Sequence, residues 1–174
     1  LFHANSGAGE FRHFSPSGRV PCLHDGAVKV WDSLSITEYL AERHAGVWPQ
    51  DPVARAWARS AAAEMHAGFQ ALRNECSMSV GLRIRMHRIS PSLQADLTRL
   101  DALWTEGLRA HGGPWLTGKE FTAVDAFFAP VATRVQTYGL ALSQPAAQYV
   151  QQLLHFKPVV EWMNAGIAEP WRDA

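Results

Sequence analysis

The hydrophobic pattern of this 174-residue chain changes period near residue 50. Before that point the apolar positions fall in short β-prone runs. Val20-Pro21-Cys22-Leu23 and Val28-Lys29-Val30-Trp31 flank His24-Asp25-Gly26-Ala27, which predicts a hairpin with a tight turn. Pro21 heads the first run, where proline is tolerated at an edge or as a cis turn. Leu34, Ile36, Tyr39 and Leu40 then recur at helical spacing after Asp32-Ser33. Ser35 and Glu38 offer a capping pair for that helix, whose end is expected near His44-Ala45-Gly46.

Trp48-Pro49-Gln50-Asp51-Pro52 marks a boundary, with Asp51 placed as N-cap and Pro52 as first helical residue of the next element. Beyond it the period is helical throughout. Trp57, Ala61, Met65, Phe69 and Leu72 form one stripe, and Leu93, Leu97, Leu100, Trp104 and Leu108 a second, opened by Ser90-Pro91. Gly112-Gly113-Pro114 interrupts. Thr122 and Asp125 then have capping-box spacing at the head of a third helix, and two more helical segments follow at 146–154 and 159–165. The expected organisation is α+β: a strand-containing domain over 1–46, a linker over 47–52 and an all-helical domain over 53–174.

Composition narrows the function classes. Sixteen basic residues balance sixteen acidic ones, so no net field favours nucleic acid or an anionic membrane. Charges, Pro or Gly interrupt every apolar stretch before it could span a bilayer. Cys22 and Cys76 are too few for a disulfide framework and fit a reducing, cytoplasmic setting, and no signal peptide opens the chain. The eight His are scattered without metal-ligand spacing, so no metal is expected. The one basic run, Arg83-Ile84-Arg85-Met86-His87-Arg88, has no interleaved aromatics and reads as a solvated helix end or loop rather than a binding patch. The chain also lacks an initiator Met, and the expectation is a fragment or a trimmed chain.

Three motifs in register resemble the glutathione transferases. Ser17-Gly18-Arg19-Val20-Pro21-Cys22-Leu23 resembles the family's G-x-V-P-x-L strand, and Asp32-Ser33-Leu34-Ser35-Ile36-Thr37-Glu38-Tyr39-Leu40 its E/Q-S-x-A-I-x-x-Y-L helix. Trp115-Leu116-Thr117-Gly118 with Phe121-Thr122-Ala123-Val124-Asp125 resembles the segment that starts its sixth helix. Pro49-Gln50-Asp51-Pro52 and 67–74 look most like the zeta class and related bacterial enzymes. The resemblance implies a thioredoxin-like domain, incomplete here, followed by a helical bundle. It also implies that a strand, a helix and a strand precede Leu1 and carry the catalytic Ser, Tyr or Cys. An isolated two-stranded hairpin is barely stable in water, which independently leads to the same expectation.

The resemblance assigns roles residue by residue. The backbone of Val20, before a cis Pro21, would pair with the cysteinyl group of glutathione as a short β-ladder. Asp32 and Ser33 open a helix whose free N–H groups and dipole favour a carboxylate, with Ser33 donating its hydroxyl and Asp32 accepting from the neighbouring amine. Read without the resemblance, either residue simply caps the helix. Gln70 and Asn74 share a helix face and match zeta-class positions that contact glutathione, as does Cys76. Phe69, His66 and Arg73 would line the electrophile pocket; on the residues alone Phe69 reads as core, His66 as a surface or satisfied histidine and Arg73 as a solvated helix face.

The implied function is a glutathione transferase acting on a small hydrophobic or electrophilic co-substrate, with glutathione as substrate, no metal and a homodimeric assembly. Two alternatives stand beside it. One is a maleylacetoacetate isomerase-type reaction, weakened because zeta enzymes carry Arg where this chain has Thr137, Arg134 lying one turn earlier. The other is a non-catalytic binding module of the same fold. Thr122 and Asp125 are expected to be structural.

Overall fold

The computed structural model describes residues 8–170. They divide into two compact units, one reaching Val47 and joined by Glu169 and Pro170, the other running Trp48–Ala168.

The first unit contains α1 (Ala8–Phe11), β1 (Cys22–Asp25), β2 (Val28–Trp31) and α2 (Ser33–Ala41). The strands pair antiparallel, Cys22 opposite Trp31 and Asp25 opposite Val28, so the turn is Gly26-Ala27. Gly26 has φ 58, the positive value that two-residue hairpin turns require and that glycine adopts without steric cost. The Tyr39 hydroxyl donates to Asp25 over 2.6 Å and the Arg43 guanidinium covers the Tyr39 ring at 3.8 Å, which pins α2 to the hairpin. On the other side, the Phe14 carbonyl accepts from the His24 ring over 2.7 Å.

The start of α2 corrects the expected Ser35–Glu38 capping pair. The N-cap is Asp32, whose Oδ1 accepts from the amides of Leu34 (2.9 Å) and Ser35 (3.4 Å). An amide already bonded to the preceding carboxylate marks Ser35 as helix interior, so it cannot be the cap.

The second unit is all helical: α3 (Pro52–Ala67), α4 (Gln70–Glu75), α5 (Pro91–His111), α6 (Ala123–Tyr138), α7 (Gln144–His155) and α8 (Lys157–Ala168). Asp51 caps α3 through the Ala54 amide (2.7 Å) and Ser90 caps α5 through Leu93 (3.0 Å), each followed by Pro at the first position, as the sequence predicts. The core centres on Trp104, fully buried, with Phe128 and Tyr149 edge-on at 5.5 and 5.1 Å. Gly107 lets α5 approach α3, since a Cβ there would sit 2.4 Å from the Trp57 ring. No helix among the described residues is long and apolar enough to cross a membrane.

The first stripe predicted one helix through Leu72; the structure breaks it. α3 ends at Ala67, Gly68 caps it, and Phe69 turns left-handed before α4 begins. A Cβ on Gly68 would lie 2.7 Å from the Glu64 carbonyl oxygen, so only glycine fits this close crossing of the chain over the helix end. Phe69 and Leu72 stay buried through the break, which is why the apolar spacing does not register it.

Candidate functional site

Two clusters carry the residues predicted to bind or react, one in each unit. In the first, the peptide bond Val20–Pro21 is cis. The Pro21 carbonyl accepts from the Asp32 amide (3.3 Å), which ties the head of β1 to the start of α2. Val20 itself is exposed, and neither its N–H nor its carbonyl has a hydrogen-bond partner among the described residues. Ser33 is the first residue of α2 and half-buried. With the Leu34 and Ser35 amides taken by Asp32 and the Ile36 amide by the Asp32 carbonyl, the Ser33 N–H is the remaining donor of the first turn. The Ser33 hydroxyl likewise has no partner among the described residues. The site therefore presents an unpaired backbone at Val20, plus an N–H and an O–H at the positive end of a helix.

In the second unit, Gln70 and Asn74 lie one turn apart on α4 and are both exposed. The Gln70 amide turns back to the Ala67 carbonyl (3.2 Å). Phe69 at the head of α4 supplies no side-chain cap, and Asp96 of α5 does so instead, accepting from the Leu72 amide at 3.0 Å. Sequence inspection does not find Asp96, because it caps across a separation of 24 residues. Asp32 and Phe69 are the two non-glycine residues with positive φ among those described, at 75° and 56°. Each immediately precedes a predicted ligand residue, Ser33 or Gln70. Such conformations cost about 1–3 kcal/mol and collect at functional sites.

The remaining predicted residues separate from Gln70 and Asn74. Cys76 is fully buried with its thiol toward the Met86 sulfur at 3.8 Å, and burial, with Glu75 adding to it, pushes the thiol pKa up. Phe69 is buried as well. His66 is exposed, edge-on to Phe127 with ring centres 6.5 Å apart. Arg73 folds back over the end of α3 and donates to the carbonyls of Met65 (2.6 Å) and Gly68 (3.1 Å), acceptors that a helix C-terminus leaves open. It is therefore neither a purely solvated cation nor a fully uncommitted one.

Arg134 of α6 donates to the Cys76 carbonyl (2.9 Å) and the Pro130 carbonyl (3.1 Å) and pairs with no carboxylate among the described residues. Its pKa is lowered, first by burial and then by the nearby Arg73 charge. Thr137 is buried and donates to the Ser79 carbonyl, so its side chain is committed to structure. No cluster of His, Cys, Asp and Glu able to hold a metal ion occurs among the described residues.

Comparison with known proteins bears on the fold. Residues 4–48 match the family model for the N-terminal domain of glutathione S-transferase. The chain is 27% identical over 152 residues to glutathione S-transferase 1 of Dianthus caryophyllus, covering 83% of this chain and 67% of that protein. It is 29% identical over 124 residues to a zeta-class glutathione S-transferase of Euphorbia esula, covering 70% and 55% respectively. The chain thus spans roughly half to two thirds of the length of these curated relatives. Among solved structures, it superposes with TM-score 0.68 and 22% identity on a maleylacetoacetate isomerase from Methylobacterium extorquens AM1 with bound malonate and GSH, covering 95% of this chain and 81% of that one. The fold is that of the glutathione transferases, a thioredoxin-like part followed by a helical bundle, and the resemblance extends to the zeta class.

Proposed function

We propose that this chain, with the fold and sequence likeness of the glutathione transferases, binds glutathione and serves the attack of its thiolate on a small electrophile. The observation that carries the reading is the pairing of open groups in the first unit. Val20 offers both halves of an unpaired backbone step, and Ser33 offers an N–H and an O–H at a helix start. These match the parts of γ-glutamyl-cysteinyl-glycine: a peptide-like segment to pair as a strand, and a carboxylate to meet the two Ser33 donors. Gln70 and Asn74 are the second unit's polar candidates for the same ligand. Cys76, which the resemblance also assigned to glutathione, is better supported in packing than in ligand contact, given its burial.

Chemically, the sulfur must be a thiolate, because the thiol is a poor nucleophile near neutral pH. Its lone pair forms the new S–C bond, and the electrons displaced leave with a departing group or are protonated on the adduct. An isomerase would run the addition, rotate the freed bond and expel the same thiolate. That version has one observation in its favour: Arg134, a half-buried cation with no carboxylate partner and with Arg73 nearby, suits an acidic electrophile. We assign no described residue to thiolate stabilisation. A homodimer is proposed on the same likeness.

Calorimetric titration with glutathione tests the reading. Wild type is expected to bind saturably. Ser33→Ala should weaken binding by about tenfold or more, the usual worth of a hydrogen bond to a charged group. Adding Asn74→Ala should weaken it further. Well-folded wild type that binds no glutathione would favour the non-catalytic module, with Asp32-Ser33 left as a helix cap.

A further inference from the structure

Residues 76–90 join α4 to α5 without regular structure, and the basic run at 83–88 lies within them. Hydrogen bonds fasten this segment along the C-terminal half of α6. The Ile84 N–H donates to the Thr137 carbonyl (2.7 Å) and Arg83 to the Gln136 side chain (2.7 Å). The Tyr138 hydroxyl donates to the Ser77 carbonyl (3.2 Å) and Arg134 to the Cys76 carbonyl (2.9 Å). The two stretches so joined share a feature of composition. No Asp or Glu occurs from 76 to 95 or from 126 to 160, although the whole chain holds sixteen. A chain without net charge thus carries a local positive surface here. Glu75 and Asp96 border the first stretch and are engaged, with the Ser90 hydroxyl (2.6 Å) and the Leu72 amide (3.0 Å).

The same loop is apolar as well as basic. Leu82, Ile84 and Ile89 are 51%, 39% and 37% exposed, interleaved with exposed Arg83, Arg85, His87 and Arg88. Arg83 donates only to neutral oxygens, those of Val80, Leu82 and Gln136. Arg85 and Arg88 make no hydrogen bond or ion pair with any described residue. Exposed aliphatic side chains among uncompensated guanidinium groups complement a partner that is anionic at its surface and hydrocarbon beneath. Arginine suits such layering, because its methylene stem lies along apolar surface while its head reaches polar groups. Single-stranded nucleic acid stacks its bases on aromatic rings, and protein contacts concentrate on Trp and Tyr anchors. Residues 76–90 contain no Phe, Tyr or Trp.

We propose that the α4–α5 loop docks the protein on an anionic lipid bilayer. Leu82, Ile84 and Ile89 enter the headgroup boundary, and Arg85 and Arg88 meet the lipid anions. Each arginine near such a surface favours the bound state about fivefold, so the contact is reversible and sensitive to salt. It is peripheral and needs no membrane-crossing helix, of which there is none among the described residues. The basic run then acts as part of a binding surface, against the sequence expectation of a solvated loop. None of Val20, Ser33, Gln70 and Asn74 takes part, so the docking stands or falls apart from the glutathione reading.

The test is co-sedimentation of the full chain with vesicles of phosphatidylcholine alone or mixed equally with phosphatidylserine. Wild type should sediment with the mixed vesicles at low salt and stay in solution with phosphatidylcholine. Salt at about 1 M, which screens charges beyond ~3 Å, should release it. Arg85→Gln combined with Arg88→Gln should weaken partition about twentyfold. Leu82→Gln keeps the charge and should weaken it about fivefold, as loss of one inserted aliphatic group can do. Melting temperatures equal to wild type show that both variants fold. Four results each overturn the proposal: no sedimentation with the mixed vesicles, equal sedimentation with phosphatidylcholine, partition that either variant leaves unchanged, or binding to polyglutamate or a DNA duplex as strong as to the vesicles.

Discussion

The fully buried carboxylate of Asp125 accepts from the Leu116 and Thr122 amides at 3.1 and 3.0 Å. It also accepts from the Thr122 hydroxyl at 3.4 Å and the Tyr149 hydroxyl at 2.9 Å. The capping box read from the sequence is therefore the smaller part of its role; it joins the 115–118 turn and α7 to the head of α6. Asp125→Ala would take the acceptor from four buried donors on three other residues and should destabilise the protein by about 3 kcal/mol or more, measured by urea unfolding. The pH dependence decides between two opposing effects. Burial raises the Asp125 pKa and the hydrogen bonds lower it, with burial the larger. A carboxyl whose folded pKa exceeds its unfolded value of about 3.9 contributes stability that is complete below that value and lost as pH rises through the folded one. The stability gap between wild type and Asp125→Asn should accordingly be widest at acid pH and narrow on going toward neutrality. A gap that widens with rising pH would mean that the four hydrogen bonds outweigh burial. Tyr149 stays a donor throughout, since burial and the Asp125 charge push its pKa well above 10.

At the level of elements, α4 shows how a six-residue helix is held. It is too short to be stable alone. Its start has no side-chain cap of its own, and Asp96 supplies the missing acceptor from α5. Asp96→Ala should cost about 1 kcal/mol and speed hydrogen exchange at the Leu72 amide, while Asp96→Asn, which keeps an acceptor oxygen, should largely restore protection. If Gln70 and Asn74 contact glutathione, the alanine variant also loses affinity and the asparagine variant recovers it. The same region shows what a sequence does and does not disclose. The long helices α3 and α5 follow from their 3.6-residue stripes, and the starts of α3, α5 and α6 from local Ser, Thr or Asp caps, because both signals act within a few residues. The break at Gly68 and the Asp96 cap were not legible, since one preserves the apolar spacing and the other acts across distant sequence. Ser33 becomes a candidate for ligand binding only through three motifs in register; alone, Asp32-Ser33 reads as a cap, and Asp32 does cap α2.

For the whole molecule, the residues that maintain the helical unit and those proposed to bind glutathione are different sets, so stability and ligand response should separate. A ligand that binds the folded chain stabilises it by RT ln(1 + [L]/Kd), about 2.7 kcal/mol at a hundredfold excess over Kd. Wild type should therefore melt at a higher temperature in excess glutathione. Ser33→Ala removes a hydroxyl with no partner among the described residues, so its unliganded melting temperature should match wild type while the glutathione increment shrinks. Asp125→Asn should behave in the opposite way: a lower unliganded melting temperature, with the increment retained. Thermal scans of the three proteins with and without glutathione read both effects together. If Ser33→Ala keeps the full increment, the carboxylate is held elsewhere. If Asp125→Asn loses it, the buried network of the second unit is coupled to ligand binding rather than confined to folding.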